Sequence, residues 1–161
     1  MCSSDLAPLQ ADLALVKAAK TREQLAGLMG GSVKRFGASF FGLYIGQHQK
    51  NPDQYVTYVG QAGLNLPDRD YYLTAQFADK KAAFEKYVAK QLGGIGWPQA
   101  AARAAEIVRL ETEIALVSWT KAEQRDPVKT WNPMTPAELE KLAPGFPWKP
   151  FLDERSEEHT S

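Results

Sequence analysis

The chain has 161 residues, with 19 Lys+Arg against 19 Asp+Glu, 44% hydrophobic and 24% charged residues. That balance excludes a disordered charged tail and any nucleic-acid or membrane-surface role carried by bulk charge. A single cysteine excludes an internal disulfide, no Cys/His cluster is spaced for a structural metal, and no apolar run approaches the roughly 20 residues of a membrane span.

Both ends read as foreign to the fold. Met1–Leu6 and Arg155–Thr160 can be back-translated into strings that are reverse complements of each other and look like a library adapter. The expectation is therefore adapter sequence at 1–6 and 155–161, with residues 7–154 an internal piece of a longer gene. Within 7–154 the bases outnumber the acids by two, cysteine is absent and His48 is the one histidine. Cys2 and His159 then carry no chemistry. Met1–Leu6 shows neither the basic nor the apolar region of a signal peptide, an absence that says nothing about a longer gene.

In chain order, Leu9, Leu13, Val16 and Ala19 recur at helical spacing and predict a helix over Pro8–Lys20. Thr21 with Gln24 is a capping-box pair opening a helix to Met29, with Gly30-Gly31 as its stop. Aromatic and β-branched residues at Phe40–Ile45 and Tyr55–Val59 predict a hairpin, its reversal at Asn51-Pro52-Asp53. Pro67-Asp68-Arg69-Asp70 suits a helix entry. Phe77, Phe84, Tyr87, Val88 and Leu92 form a stripe on a helix over Thr74–Leu92, closed by Gly93-Gly94. The longest helix runs from Pro98 to about Gln124, with Ile107, Leu110, Ile114 and Val117 on its apolar face and Glu106/Arg109 and Arg109/Glu113 paired outside. Thr135 with Glu138 caps a short helix to Leu142. An aromatic, proline-rich loop follows at Pro144–Pro150, and Phe151-Leu152 begins a further helix. The predicted core contains Phe84, Val88, Ile107, Leu110, Ile114 and Val117.

Chemistry-bearing residues are sparse. A catalytic metal needs three converging ligands, and His48 stands without an HExxH partner, so it reads as a solvent-facing hairpin residue. No GxSxG elbow supports a serine nucleophile. Gly30-Gly31-Ser32 with Lys34 lacks the spacing of a phosphate loop and follows a helix, so it reads as a helix stop. Glu106, Glu111 and Glu113 read as a solvated helix face. Trp119, Trp131 and Trp148 read as packing groups rather than base-stacking ones, because charge is dispersed. No catalytic and no metal-binding residue is assigned, and substrate contacts are undefined.

One stretch is more specific. Gln61-Ala-Gly-Leu-Asn-Leu-Pro-Asp-Arg-Asp-Tyr-Tyr72 resembles the Q-x-G-L-x-L-P-x-R-D-Y-Y signature of the neprilysin-like zinc metallopeptidases. Tyr44-Ile-Gly46 and Lys50-Asn51 precede it in the family's order. Glu106–Ala115, Arg125-Asp126-Pro127 and Trp131-Asn-Pro-Met-Thr135 follow with the family's E-x-x-I-A-like helix, R-D-P and [YW]-N-x-M-T. Relatives commonly carry aspartate at the hairpin turn where this chain has His48-Gln49. In an extended segment Leu64 and Leu66 share a face, and Tyr71/Tyr72 can plug a helix junction with their hydroxyls at its rim.

The resemblance implies a mainly α fold with one small antiparallel β-hairpin, an incomplete amino-terminal part of a larger two-domain endopeptidase acting on peptides. It implies a zinc cofactor in the full-length protein, held by an HExxH and a downstream glutamate that lie outside this chain. It also implies that this region helps enclose the substrate cavity, with the catalytic domain of the same polypeptide as its partner, in an extracytoplasmic setting. The alternative is an independent helical protein-interaction module, which predicts a natural stop near Glu154.

Overall fold

In the computed structural model, which describes residues 7–32, 37 and 39–156, the Thr21 hydroxyl accepts the Gln24 N–H and the Gln24 side chain accepts the Thr21 N–H. This reciprocal cap opens α2 (Arg22–Gly31) after α1 (Ala7–Ala18). The expected stop at Gly30-Gly31 is corrected: the helix runs through both and closes at Ser32, whose hydroxyl donates to Met29 O at 2.7 Å. Gly30 is there for proximity. A Cβ built on it would lie 2.1 Å from the Phe151 carbonyl oxygen, so only a residue without a side chain lets α8 (Trp148–Ser156) approach α2 this closely. Phe146, Trp148 and Phe151 pack edge to face beside that contact, with Phe151 fully buried, and Trp148 Nε1 donates to Ala143 O. Thr135 and Glu138 form a second reciprocal cap, opening α7 (Pro136–Leu142) as the sequence predicts.

The backbone divides into two units. The helices just named belong to one, made from residues up to Phe40 and from Pro133 onward; Phe41–Asn132 forms the other. The second unit begins with β1 (Phe41–His48) and β2 (Asn51–Gln61), an antiparallel pair and the one sheet among the described residues. Tyr44 faces Tyr58 across the ladder with rings stacked at 4.8 Å. The reversal lies at Gln49-Lys50, not at Asn51-Pro52-Asp53. Pairing passes from Gln47↔Tyr55 to His48↔Asn51, so Pro52, Asp53 and Gln54 sit in a bulge, where a residue with no N–H costs the ladder nothing.

After the signature loop come α3 (Asp70–Leu73), one 3-10 turn (Ala75–Phe77) and α4 (Ala78–Gly94). Gly93 and Gly94 remain helical. The left-handed residue is Gly96, at φ 70°, and the Trp97 N–H reaches Leu92 O while the Gly96 N–H reaches Gly93 O. The expected helix to Gln124 is two: α5 (Ala100–Val117) and α6 (Lys121–Gln124). Ser118 turns extended and returns its hydroxyl to Ile114 O, and Thr120 with Glu123 makes a third reciprocal cap.

The expected core is also corrected. The inward face of α5, against α3 and α4, is Ala104, Val108, Glu111 and Ala115, whereas Leu110 and Val117 are 43% and 82% exposed. Ile107, Ile114, Phe84 and Val88 are half-buried. Small residues therefore dominate the buried face, while Leu110 and Val117 are left outside.

Candidate functional site

Five polar side chains fasten the signature loop 61–72, three to α5 and two to the residues just beyond it. At its start, Gln61 acts as a strand surrogate: its Nε2 donates to Trp119 O at 3.2 Å and its Oε1 accepts the Trp119 N–H at 2.8 Å. Asn65 donates its backbone N–H to Glu111 Oε2 (3.0 Å) and its Nδ2 to Oε1 (2.7 Å). Tyr72 donates its hydroxyl to the same Oε2 in a short hydrogen bond and accepts the Leu66 N–H at 2.9 Å. Arg69 Nε donates to Ala115 O at 3.1 Å, satisfying a carbonyl of the last helical turn. Asp68 Oδ2 pairs with Lys121 Nζ at 2.6 Å while Oδ1 accepts the Asp70 N–H. Lys81 on α4 closes the ring by donating to Tyr72 O at 3.0 Å.

Protonation states follow from these contacts. Burial first, and then the Glu111 carboxylate, push the Tyr72 phenol above its ordinary range, so it stays a donor. The Lys121 hydrogen bond holds the Asp68 carboxyl below its usual value and raises Lys121 in return. Glu111 is therefore not part of a solvated face, as its spacing suggests: it is 4% exposed and both oxygens are occupied. Nor is the Tyr72 hydroxyl at a rim, because it is turned inward; Tyr71 instead stacks on Phe77 at 4.1 Å.

Two concavities flank the clamp. The larger, about 550 Å³, lies between the hairpin and the end of α5, lined by Tyr44, Tyr58, Val117, Trp119 and Asn132 with no charged side chain. The smaller, about 220 Å³, holds Leu66, Asp68, Arg69 and Lys121 at its wall. Amide, phenol and indole groups line the larger one beside Val59 and Val117.

Other singled-out residues fall apart from one another. His48 is half-buried rather than solvent-facing: its ring meets Trp131 at 5.0 Å and 89°, and Lys50 stands 5.2 Å from the same indole. Glu106 pairs with Arg103 (2.6 Å) instead of Arg109, which takes Glu113 (2.8 Å). Trp148 packs in the first unit and Trp119 is 40% exposed at the large concavity. Cys2, Lys34 and His159 lie outside the described residues. Among the described residues no group of three or more His, Cys, Asp or Glu converges. Sequence reasoning missed Glu111; the available signal was an acid 3 and 4 residues from Val108 and Ala115 on a small-residue face.

A family model described as peptidase family M13 matches residues 2–161. Endothelin-converting enzyme 1 of Cavia porcellus is 35% identical over 118 residues, covering 71% of this chain and 16% of the relative; the Homo sapiens protein is 33% identical, with 71% and 15% covered. Zinc metalloprotease Zmp1 of Mycobacterium tuberculosis, in complex with inhibitor, superposes with a TM-score of 0.88 at 28% identity, covering 93% of this chain and 23% of that one. Its open state gives 0.86. The chain thus spans under a quarter of the length of these relatives.

Proposed function

Given that the chain belongs to peptidase family M13, the neprilysin-like zinc metallopeptidases, we propose that it contributes a non-catalytic helical wall to the substrate cavity of a zinc-dependent endopeptidase acting on peptides. The observation that carries this reading is the clamp. It spends Asn65, Arg69 and Tyr72 on holding the loop against α5, and it leaves an uncharged aromatic and amide concavity open beside it. A wall is what such a surface supplies: it shapes and limits what enters without touching the scissile bond.

The residues present do not fit zinc. A catalytic zinc needs three deprotonated donors and one open position. His48 uses Nδ1 to accept the Lys50 and Asn51 N–H groups, and Glu111 has no unoccupied oxygen. The zinc ligands, and the catalytic domain that partners this wall, are accordingly proposed to lie elsewhere in the full-length polypeptide. The same reading takes 1–6 and 155–161 as adapter sequence and the mature protein as extracytoplasmic; among the described residues no helix is long and apolar enough to cross a membrane.

The test is to incubate the purified 161-residue chain with zinc and a quenched peptide library, beside the product of the uninterrupted gene. Chelator-sensitive cleavage by the complete protein alone is the expected result. Cleavage by the short chain overturns the reading, and so does a natural stop codon directly after Glu154, which would favour a free-standing interaction module.

A further inference from the structure

His48 Nδ1 accepts two backbone donors at the hairpin tip, the Lys50 N–H at 3.2 Å and the Asn51 N–H at 3.0 Å. An imidazole accepts only at a nitrogen without a proton, so the closed turn requires the tautomer with its proton on Nε2. We propose that this makes the β1–β2 tip a proton-sensitive latch: neutral His48 closes the Gln49-Lys50 turn, and a proton at Nδ1 opens it. The imidazolium has two N–H groups and no acceptor, so a proton on Nδ1 faces two donors instead of serving them. The ring must then rotate away, and its edge contact with Trp131 goes with it.

Charge acts in the same direction. Lys50 already holds its ammonium 5.2 Å from the Trp131 ring, so a second cation at that indole meets a like charge. The other ionisable groups on the elements packed here are Tyr44 on β1, Asp53, Tyr55 and Tyr58 on β2, and Lys121, Glu123, Arg125, Asp126 and Lys129 ahead of Trp131. Asp126 spends its carboxylate on the Val128 and Lys129 N–H groups, and Lys129 reaches Glu123 at 3.6 Å. The sign follows from the geometry: a proton on Nδ1 removes the acceptor that closes the turn, so acid favours opening. The effect reaches beyond two residues. Asn51 is the register partner of His48 and immediately precedes the Pro52–Gln54 bulge, so losing its N–H anchor frees the end of the ladder.

Pulsed hydrogen exchange read by mass spectrometry on the 161-residue chain, corrected for intrinsic exchange, tests the latch between about pH 8 and pH 5, where an imidazole changes charge. Protection of the peptide spanning 47–55 should fall about tenfold on acidification, the size expected for losing two backbone hydrogen bonds, while a peptide from α5 does not change. His48→Asn places an amide oxygen where Nδ1 stands and carries no titrating proton, so its protection should not depend on pH. His48→Phe keeps a ring against Trp131 without an acceptor and should leave the tip unprotected at both values. An acid-induced loss that persists in His48→Asn, or wild-type protection retained at pH 5, overturns the proposal, as does wild-type protection in His48→Phe.

Discussion

A carboxylate at 4% exposure on a helix face otherwise made of alanine and valine survives because its oxygens are matched by three donors, two from Asn65 and one from Tyr72. Burying such a group is costly alone and tolerable when every lone-pair direction is used. Glu111→Ala should therefore destabilise the chain by about 3 kcal/mol, since one buried and two part-buried donors lose their acceptor at once. Tyr72→Phe should cost about 1–2 kcal/mol, from the lost bond to Glu111 and the orphaned Leu66 N–H. Urea midpoints at constant slope measure both, and the double variant should fall short of the sum by about 1 kcal/mol because the pair shares one bond. Full additivity would show that the two side chains act independently. The sequence shows the signature but not its anchor. Glu111 sits at alternate positions with the charged Arg109 and Glu113, which do face water, and only the docked loop distinguishes the three.

Among the elements, caps were legible and faces were not. The Thr21–Gln24 and Thr135–Glu138 boxes are local, set by four consecutive residues, and form as their spacing predicts. The Thr120–Glu123 box is equally local but lies in a stretch, 99–126, with no glycine or proline to mark an end, so the break at Ser118 goes unseen. Helix α5 shows the cost of reading faces by residue size. Its largest aliphatics define one stripe, yet the buried stripe is that of Ala104, Val108 and Ala115. Val108→Ala should cost about 2 kcal/mol by leaving a cavity, whereas Leu116→Gln and Val117→Gln, on the exposed face, should stay within about 0.5 kcal/mol. Thermal or urea unfolding decides it: a Val117→Gln penalty as large as that of Val108→Ala would restore the face that periodicity alone suggests. Gly30 teaches the same lesson. Its signal resembles a helix stop, but its role is contact with Phe151, which no local pattern reveals.

For the molecule as a whole, class and family were readable because the ordered motifs from Tyr44 to Thr135 fix both, and a TM-score of 0.88 with the mycobacterial enzyme agrees with a mainly helical fold carrying one hairpin. The location of the core was less readable. Patterning assumes that a chain buries its own aliphatics, and a chain spanning 16% of a relative's length has no such obligation. Leu116, Val117 and Val128 at 62%, 82% and 81% exposure fit a surface that the proposed wall would present to the rest of its polypeptide.

The clamp also has a kinetic side. Asn65 and Glu111 are 46 residues apart, and Gln61 and Trp119 are 58 apart. Closing loops of that size costs about 3 kcal/mol of chain entropy before any hydrogen bond forms. Helices α4 and α5, joined only by Ile95–Gln99, meet without that cost. The helical pair is thus expected to form first, with the signature loop docking after the main barrier. Tyr72→Phe should consequently speed unfolding and leave the refolding rate almost unchanged in stopped-flow chevrons. Refolding slowed in proportion to the lost stability would place the loop in the folding nucleus instead. Late docking means that a chain still being synthesised exposes its most family-specific segment until α5 has emerged.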